Sequence, residues 1–74
     1  MVKIKLHLHL TMHSNEREIN LNIERETPLE EILVKIGVPE DEVGIVVVNG
    51  IWQSKTCTVE DGDSIELFPY LLGG

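Results

Sequence analysis

The sequence predicts an α+β fold, ββαββ, in which a mixed sheet of four to five strands packs on one helix. Alternation of apolar and polar residues at both ends of the chain has the period of strands with one buried face. The stretch Thr27 to Gly37 changes to helical spacing, with a start signal before it and a stop signal after it. Asn49-Gly50, between two β-rich runs, is the strongest short hairpin signal.

The first strand is read from Val2 to Leu10, with Val2, Ile4, Leu6, Leu8 and Leu10 on one face and Lys3, Lys5, His7 and His9 on the other. Met12 to Arg17 is polar and turn-like, and Ile19, Leu21 and Ile23 alternate in a second strand, close enough for an antiparallel hairpin. Thr27 is a candidate N-cap, Pro28 suits the first helical position, and Glu30 would complete a capping box. Leu29, Ile32, Leu33 and Ile36 form one apolar stripe, and Glu30-Glu31 in the first turn favour the helix dipole. Gly37 stands where a left-handed cap is expected, with Val38 folding back on Leu33 and Pro39 ending the helix. An acidic turn, Pro39 to Glu42, leads to the aliphatic strand Ile45 to Val48, and a short strand around Ile51-Trp52-Gln53 returns. Gly62 is the positive-φ residue expected in the turn Glu60 to Asp63. Ser64 to Phe68 is the last strand, after a minor strand or turn, and Pro69 ends it. Pressing the apolar face of the helix on that of the sheet gives the β-grasp arrangement, with the first and last strands parallel in the centre.

At 74 residues the chain has room for one domain, 1–69, followed by a flexible tail, 70–74. So short a chain buries only about 60% of its unfolded surface and cannot house a large enclosed active site. The net charge of −7 opposes a nucleic-acid or anionic-membrane partner and suits a basic protein surface. Cys57 is the single cysteine, so no internal disulfide forms, and no apolar run reads as a signal peptide or membrane span; a cytoplasmic location is expected.

Asn49-Gly50, the run Val59-x-Asp61-Gly62-Asp63-x-Ile65-x-Leu67-Phe68-Pro69, and the closing Gly73-Gly74 resemble the ubiquitin-like sulfur carriers of the ThiS/MoaD family. The resemblance covers the whole chain in element order and is specific over its last third. It implies a protein that is a substrate and not an enzyme. An E1-like adenylyltransferase, using ATP and Mg, would adenylate the carboxylate of Gly74. Persulfide sulfur would then displace AMP to leave a thiocarboxylate. A sulfur-acceptor synthase would take that sulfur, for the thiazole of thiamine or the dithiolene of molybdopterin.

The residues make chemical sense of that implication. A carboxylate is a poor acyl donor until activated. The chain carries no recognisable phosphate-binding loop, so activation would come from outside and no cofactor is bound by this chain. Gly73 and Gly74 lack Cβ atoms and suit a narrow tunnel, and Leu71 and Leu72 would enter it with them. Phe68, Pro69 and Tyr70 are the candidate partner-docking patch, with Phe68 pointing away from the helix beside aliphatics of the Ile45–Val48 strand. Leu72 departs from the family, whose carriers mostly place a small residue before the diglycine. That departure gives ground to a modifier joined to lysines through Gly74, and a plain interaction module with no C-terminal chemistry is the other alternative. The absence of a helical insertion between Gly37 and Ile45 resembles thiamine-type members, whereas Leu67-Phe68-Pro69 resembles the molybdopterin type.

Other candidates have simpler readings. His7 and His9, at i and i+2 with His13 nearby, would share a strand face as solvent-facing polar residues more readily than as metal ligands. Cys57 has neither a Cys-x-x-Cys partner nor a His/Asp pattern that would activate it. Trp52 is read as a partial lid on the core. Glu40, Asp41, Glu42, Glu60, Asp61 and Asp63 form acidic turns that could steer a basic partner.

Overall fold

The structure is a computed structural model describing residues 1–14 and 16–70. Its strands are β1 (Val2–Leu6), β2 (Glu18–Leu21), β3 (Thr27–Pro28), β4 (Val43–Val48), β5 (Ile51–Gln53), β6 (Thr58–Val59) and β7 (Ser64–Pro69), and helix α1 spans Leu29–Ile36. The main sheet has the order β2-β1-β7-β4-β5, and β3 and β6 form a small ribbon of their own. β1 and β7 are parallel at the centre, flanked by antiparallel β2 and β4. This is the expected β-grasp architecture.

The core follows from period two meeting period 3.6. Val2, Ile4 and Leu6 from β1, Ile65 and Leu67 from β7, and Val43, Val46 and Val48 from β4 face Leu29, Ile32 and Leu33 of α1. Gly37 takes the left-handed conformation at φ 79°. Its amide donates to the Val34 carbonyl, and that of Val38 to the Leu33 carbonyl at 3.0 Å, which is the hydrogen-bond pair of a Schellman cap. Asn49 and Gly50, at φ 52° and 83°, make the tight β4–β5 hairpin.

The first strand is shorter than its alternation predicts. It ends at Leu6, and Leu8–His13 forms a 3-10 helix. The cause lies across the sheet. His7 donates its amide to the Leu67 carbonyl at 3.1 Å, and the parallel ladder next requires an amide from residue 69 to reach the His7 carbonyl. Residue 69 is proline and has no N–H. The His7 carbonyl instead accepts from Leu10 at 3.2 Å, the chain turns at Leu8 with φ 55°, and Leu10 rolls into the core while Leu8 faces solvent. His7 and His9 therefore do not share a strand face.

The capping box is also corrected. Thr27 is a strand residue paired with Val59, and its hydroxyl donates to the Arg25 carbonyl at 2.8 Å. Pro28 occupies the N-cap position without a side-chain cap bond, and the first helical amide, that of Leu29, donates to the Cys57 carbonyl at 2.9 Å. Pairing with β6 has replaced side-chain capping.

Candidate functional site

β7 leads from the middle of the sheet toward the end of the chain, and its alternation decides what surrounds the exit. Ile65 and Leu67 face the helix, so Glu66 and Phe68 face the opposite side of the sheet. Phe68 lies across from Ile45 and Glu66 from Val47, while Trp52 of β5 pairs with Val47 on the same face. Phe68 is half-buried because the His7 ring stacks on it, with centroids 4.1 Å apart and planes 6° from parallel. His7 Nε2 is 3.0 Å from Glu66 Oε1, which holds the imidazole in that stack. The outer face of the sheet thus carries an aromatic and aliphatic strip ending at Trp52. That tryptophan is 74% exposed, not the core lid expected, because β5 is an edge strand and its outward residue has nothing to cover.

Of the proposed docking residues, Phe68 contributes one face and Tyr70 is exposed, whereas Pro69 is fully buried and offers no side-chain surface. Pro69 acts through its backbone, by ending the β1–β7 ladder. Leu71, Leu72, Gly73 and Gly74 lie outside the described residues.

Two residues that sequence reasoning missed stand beside Tyr70. Gly44 is the extra residue of a β-bulge, since Val43 faces Pro69 and Ile45 faces Phe68. Lys55, between β5 and β6, donates from Nζ to the Tyr70 hydroxyl at 3.0 Å. A glycine interrupting a strand-like run was the available signal for the first; Lys55 left none.

The two turns of the motif run are joined at the far end of the sheet. Asn49 Nδ2 donates to Asp63 Oδ1 at 2.9 Å, and Asn49 Oδ1 accepts from the Ser64 amide at 2.9 Å. Asp63 Oδ2 accepts from the Glu60 amide at 2.8 Å, and Gly62 supplies φ 93°. These motif residues hold β4 in register with β7.

Other polar side chains are engaged in local contacts. Cys57 is half-buried, and burial pushes its thiol up, toward the unreactive protonated form. His13 Nε2 is 2.7 Å from Glu42 Oε1 and ties the 3-10 helix to the turn before β4. Among the described residues no cluster of three or more His, Cys, Asp or Glu is placed to hold a metal, and no helix is long and apolar enough to cross a membrane. An open groove of about 510 Å³ lies between α1 and the following turn, lined by Leu33, Val34, Val38, Pro39 and acidic side chains.

Comparison with known families matches residues 2–72 to the model described as Mut7-C ubiquitin. The chain belongs to the Mut7-C ubiquitin family. No curated protein matches it significantly. Among solved structures, this Mut7-C ubiquitin domain is similar to SAMP1 from Haloferax volcanii, with a TM-score of 0.72 and 20% identity over 99% of this chain and 98% of that one. A second structure, H. volcanii small archaeal modifier protein 1, matches at 0.72 and 18% identity over 92% and 94% of the two chains. A structure named for molybdopterin converting factor, subunit 1, from Pyrococcus furiosus matches at 0.71 and 22% identity over 92% and 94%. At these identities the likeness establishes the fold alone, the ubiquitin-like β-grasp.

Proposed function

We propose that this Mut7-C ubiquitin domain is a sulfur carrier whose working group is the carboxylate of Gly74. The observation that carries the proposal is the position of Gly73-Gly74, which begins four residues beyond Pro69, the last residue of β7, in a chain with the carrier fold. Tyr70 to Gly74, fully extended, reach about 17 Å, enough to enter a partner's pocket while the domain stays outside.

An E1-like adenylyltransferase with ATP and Mg supplies the activation. The Gly74 carboxylate attacks the α-phosphorus and releases pyrophosphate. A persulfide sulfur then attacks the acyl carbon and AMP leaves. A thiol cleaves the resulting acyl disulfide, freeing the thiocarboxylate for a sulfur-acceptor synthase in thiamine or molybdopterin assembly. In this reading the chain is not itself an enzyme and binds no cofactor. The aromatic and aliphatic strip from Phe68 to Trp52 is the surface that meets the adenylyltransferase, and the net charge of −7 suits a basic rim on that partner.

Leu72, a bulky residue before the diglycine, favours a second reading, in which Gly74 is joined to lysines. Intact mass separates the two. Incubation with the cognate E1-like enzyme, ATP and a sulfur donor adds the oxygen-to-sulfur increment if the protein is a carrier. A ladder of covalent conjugates in cell extract supports the modifier instead. A natural protein that continues past Gly74, or that stays unchanged in both assays, ends both readings.

A further inference from the structure

We propose that Gly44, Lys55 and Tyr70 form a clasp that fixes the chain just beyond β7, at the root of the sequence segment that carries Gly73-Gly74. The functional consequence rests on the sulfur-carrier reading; the clasp itself rests on geometry.

One side of the clasp is backbone on backbone. A Cβ on Gly44 would lie 2.9 Å from both the Cα and the amide nitrogen of Tyr70, and 3.1 Å from the carbonyl carbon of Pro69. Real side chains do not approach backbone so closely, and no rotamer change can move these atoms away. The bulge at Gly44 therefore makes a seat into which the chain settles just after its last ladder pair, Val43 with Pro69.

The other side is Lys55. Its ammonium donates to the Tyr70 hydroxyl at 3.0 Å and lies 5.1 Å from the centre of the ring. It also donates to the Glu40 carbonyl at 3.4 Å, in the turn that leads into β4. Lys55 thus ties the Tyr70 side chain to the same part of the molecule whose backbone seats the Tyr70 main chain. Without these contacts the residue after a strand end would fray.

Fixing the root matters because Gly74 must find a reactive phosphate inside another protein. A segment with an anchored root searches less space than one whose root also moves, which raises the effective concentration of its end once the domain has docked. Gly44 and Lys55 are accordingly positioning residues for adenylation, acting through Tyr70.

Lys55→Met keeps the length of the stem and removes the donor and the charge; Lys55→Arg restores both. The amide ¹⁵N–¹H heteronuclear NOE of Tyr70 reports the clasp directly, and ATP–pyrophosphate exchange with the cognate E1-like enzyme reports its use. In Lys55→Met the Tyr70 NOE falls, KM for this protein rises about five-fold and kcat changes less than about two-fold, while Lys55→Arg stays close to wild type. Gly44→Ala gives the same pattern, more strongly. A wild-type NOE and wild-type KM in Lys55→Met overturn the clasp. A natural protein that supports no exchange overturns the sulfur-carrier reading, and the Tyr70 NOE then judges the clasp alone.

Discussion

Asn49 carries a conformational task and a bonding task at one position. Its φ of 52° lies in the left-handed region, where asparagine is tolerated better than most side chains. Its amide donates to the Ser64 carbonyl at 2.8 Å, and its side chain bonds Asp63 and the Ser64 amide. Alanine would keep the backbone bond at best, add left-handed strain and remove both side-chain bonds. Asn49→Ala is expected to cost about 2 kcal/mol, combining roughly 1 kcal/mol of strain with the net worth of partly exposed hydrogen bonds. Asn49→Gly keeps the turn and should cost about half as much. Urea unfolding of the two variants separates the contributions; equal losses would show that the bonds alone matter. Asn49 was readable as a turn residue from its neighbour Gly50, but its bonds to Asp63 and Ser64 required the register of β4 against β7.

At the scale of elements, the ribbon of β3 and β6 decides how α1 begins. Pairing Thr27 with Val59 brings Glu26 and Glu60 to adjoining positions just beyond the ladder. A hydrogen bond with the Glu26 side chain, and then the charges of Glu26 and Asp63, push the exposed Glu60 carboxyl up. The folded state therefore holds that proton more tightly than the unfolded chain does. The contribution is present below the ordinary glutamate range and is lost as pH rises through the raised value, leaving two repelling carboxylates. Glu60→Gln is thus expected to raise the melting temperature near pH 7, with the advantage shrinking toward about pH 4. A calorimetric comparison at the two pH values checks this, and an advantage that grows on acidification would contradict it. The same ribbon explains a limit of reading by sequence. Thr27-Pro28-x-Glu30 has the pattern of a capping box, yet a β-partner about thirty residues away claims Thr27 first. The stop at Gly37 and the hairpin at Asn49-Gly50 were legible because every participating atom is local. The end of β1 was not, because it depends on which residue of β7 stands opposite His7, and on that residue being Pro69. The outward turn of Phe68 followed from alternation alone, whereas Trp52 was misplaced because edge position is a property of strand order.

For the whole molecule, the closure of the core before the Gly-Gly segment separates stability from function. The last ladder pair is Val43 with Pro69, the core draws on residues from Val2 to Leu67, and Tyr70 lies on the surface above Gly44. Among the described residues, the ladder pairs run no further than Pro69 and the core that covers α1 no further than Leu67. Deleting both glycines should therefore leave unfolding free energy within about 0.5 kcal/mol of wild type, as for surface changes away from packed or bonded groups. The same deletion should abolish adenylation by the E1-like enzyme, since it removes the acyl group on which the proposed chemistry acts. The deleted protein should still compete with the intact one for that enzyme, because the outer sheet face and the clasp at Tyr70 remain. Exchange kinetics with the truncated chain as competitor measure this directly. Inhibition with unchanged stability would place docking on the domain and chemistry on its final residues; adenylation that survives the deletion would break the link between Gly74 and function.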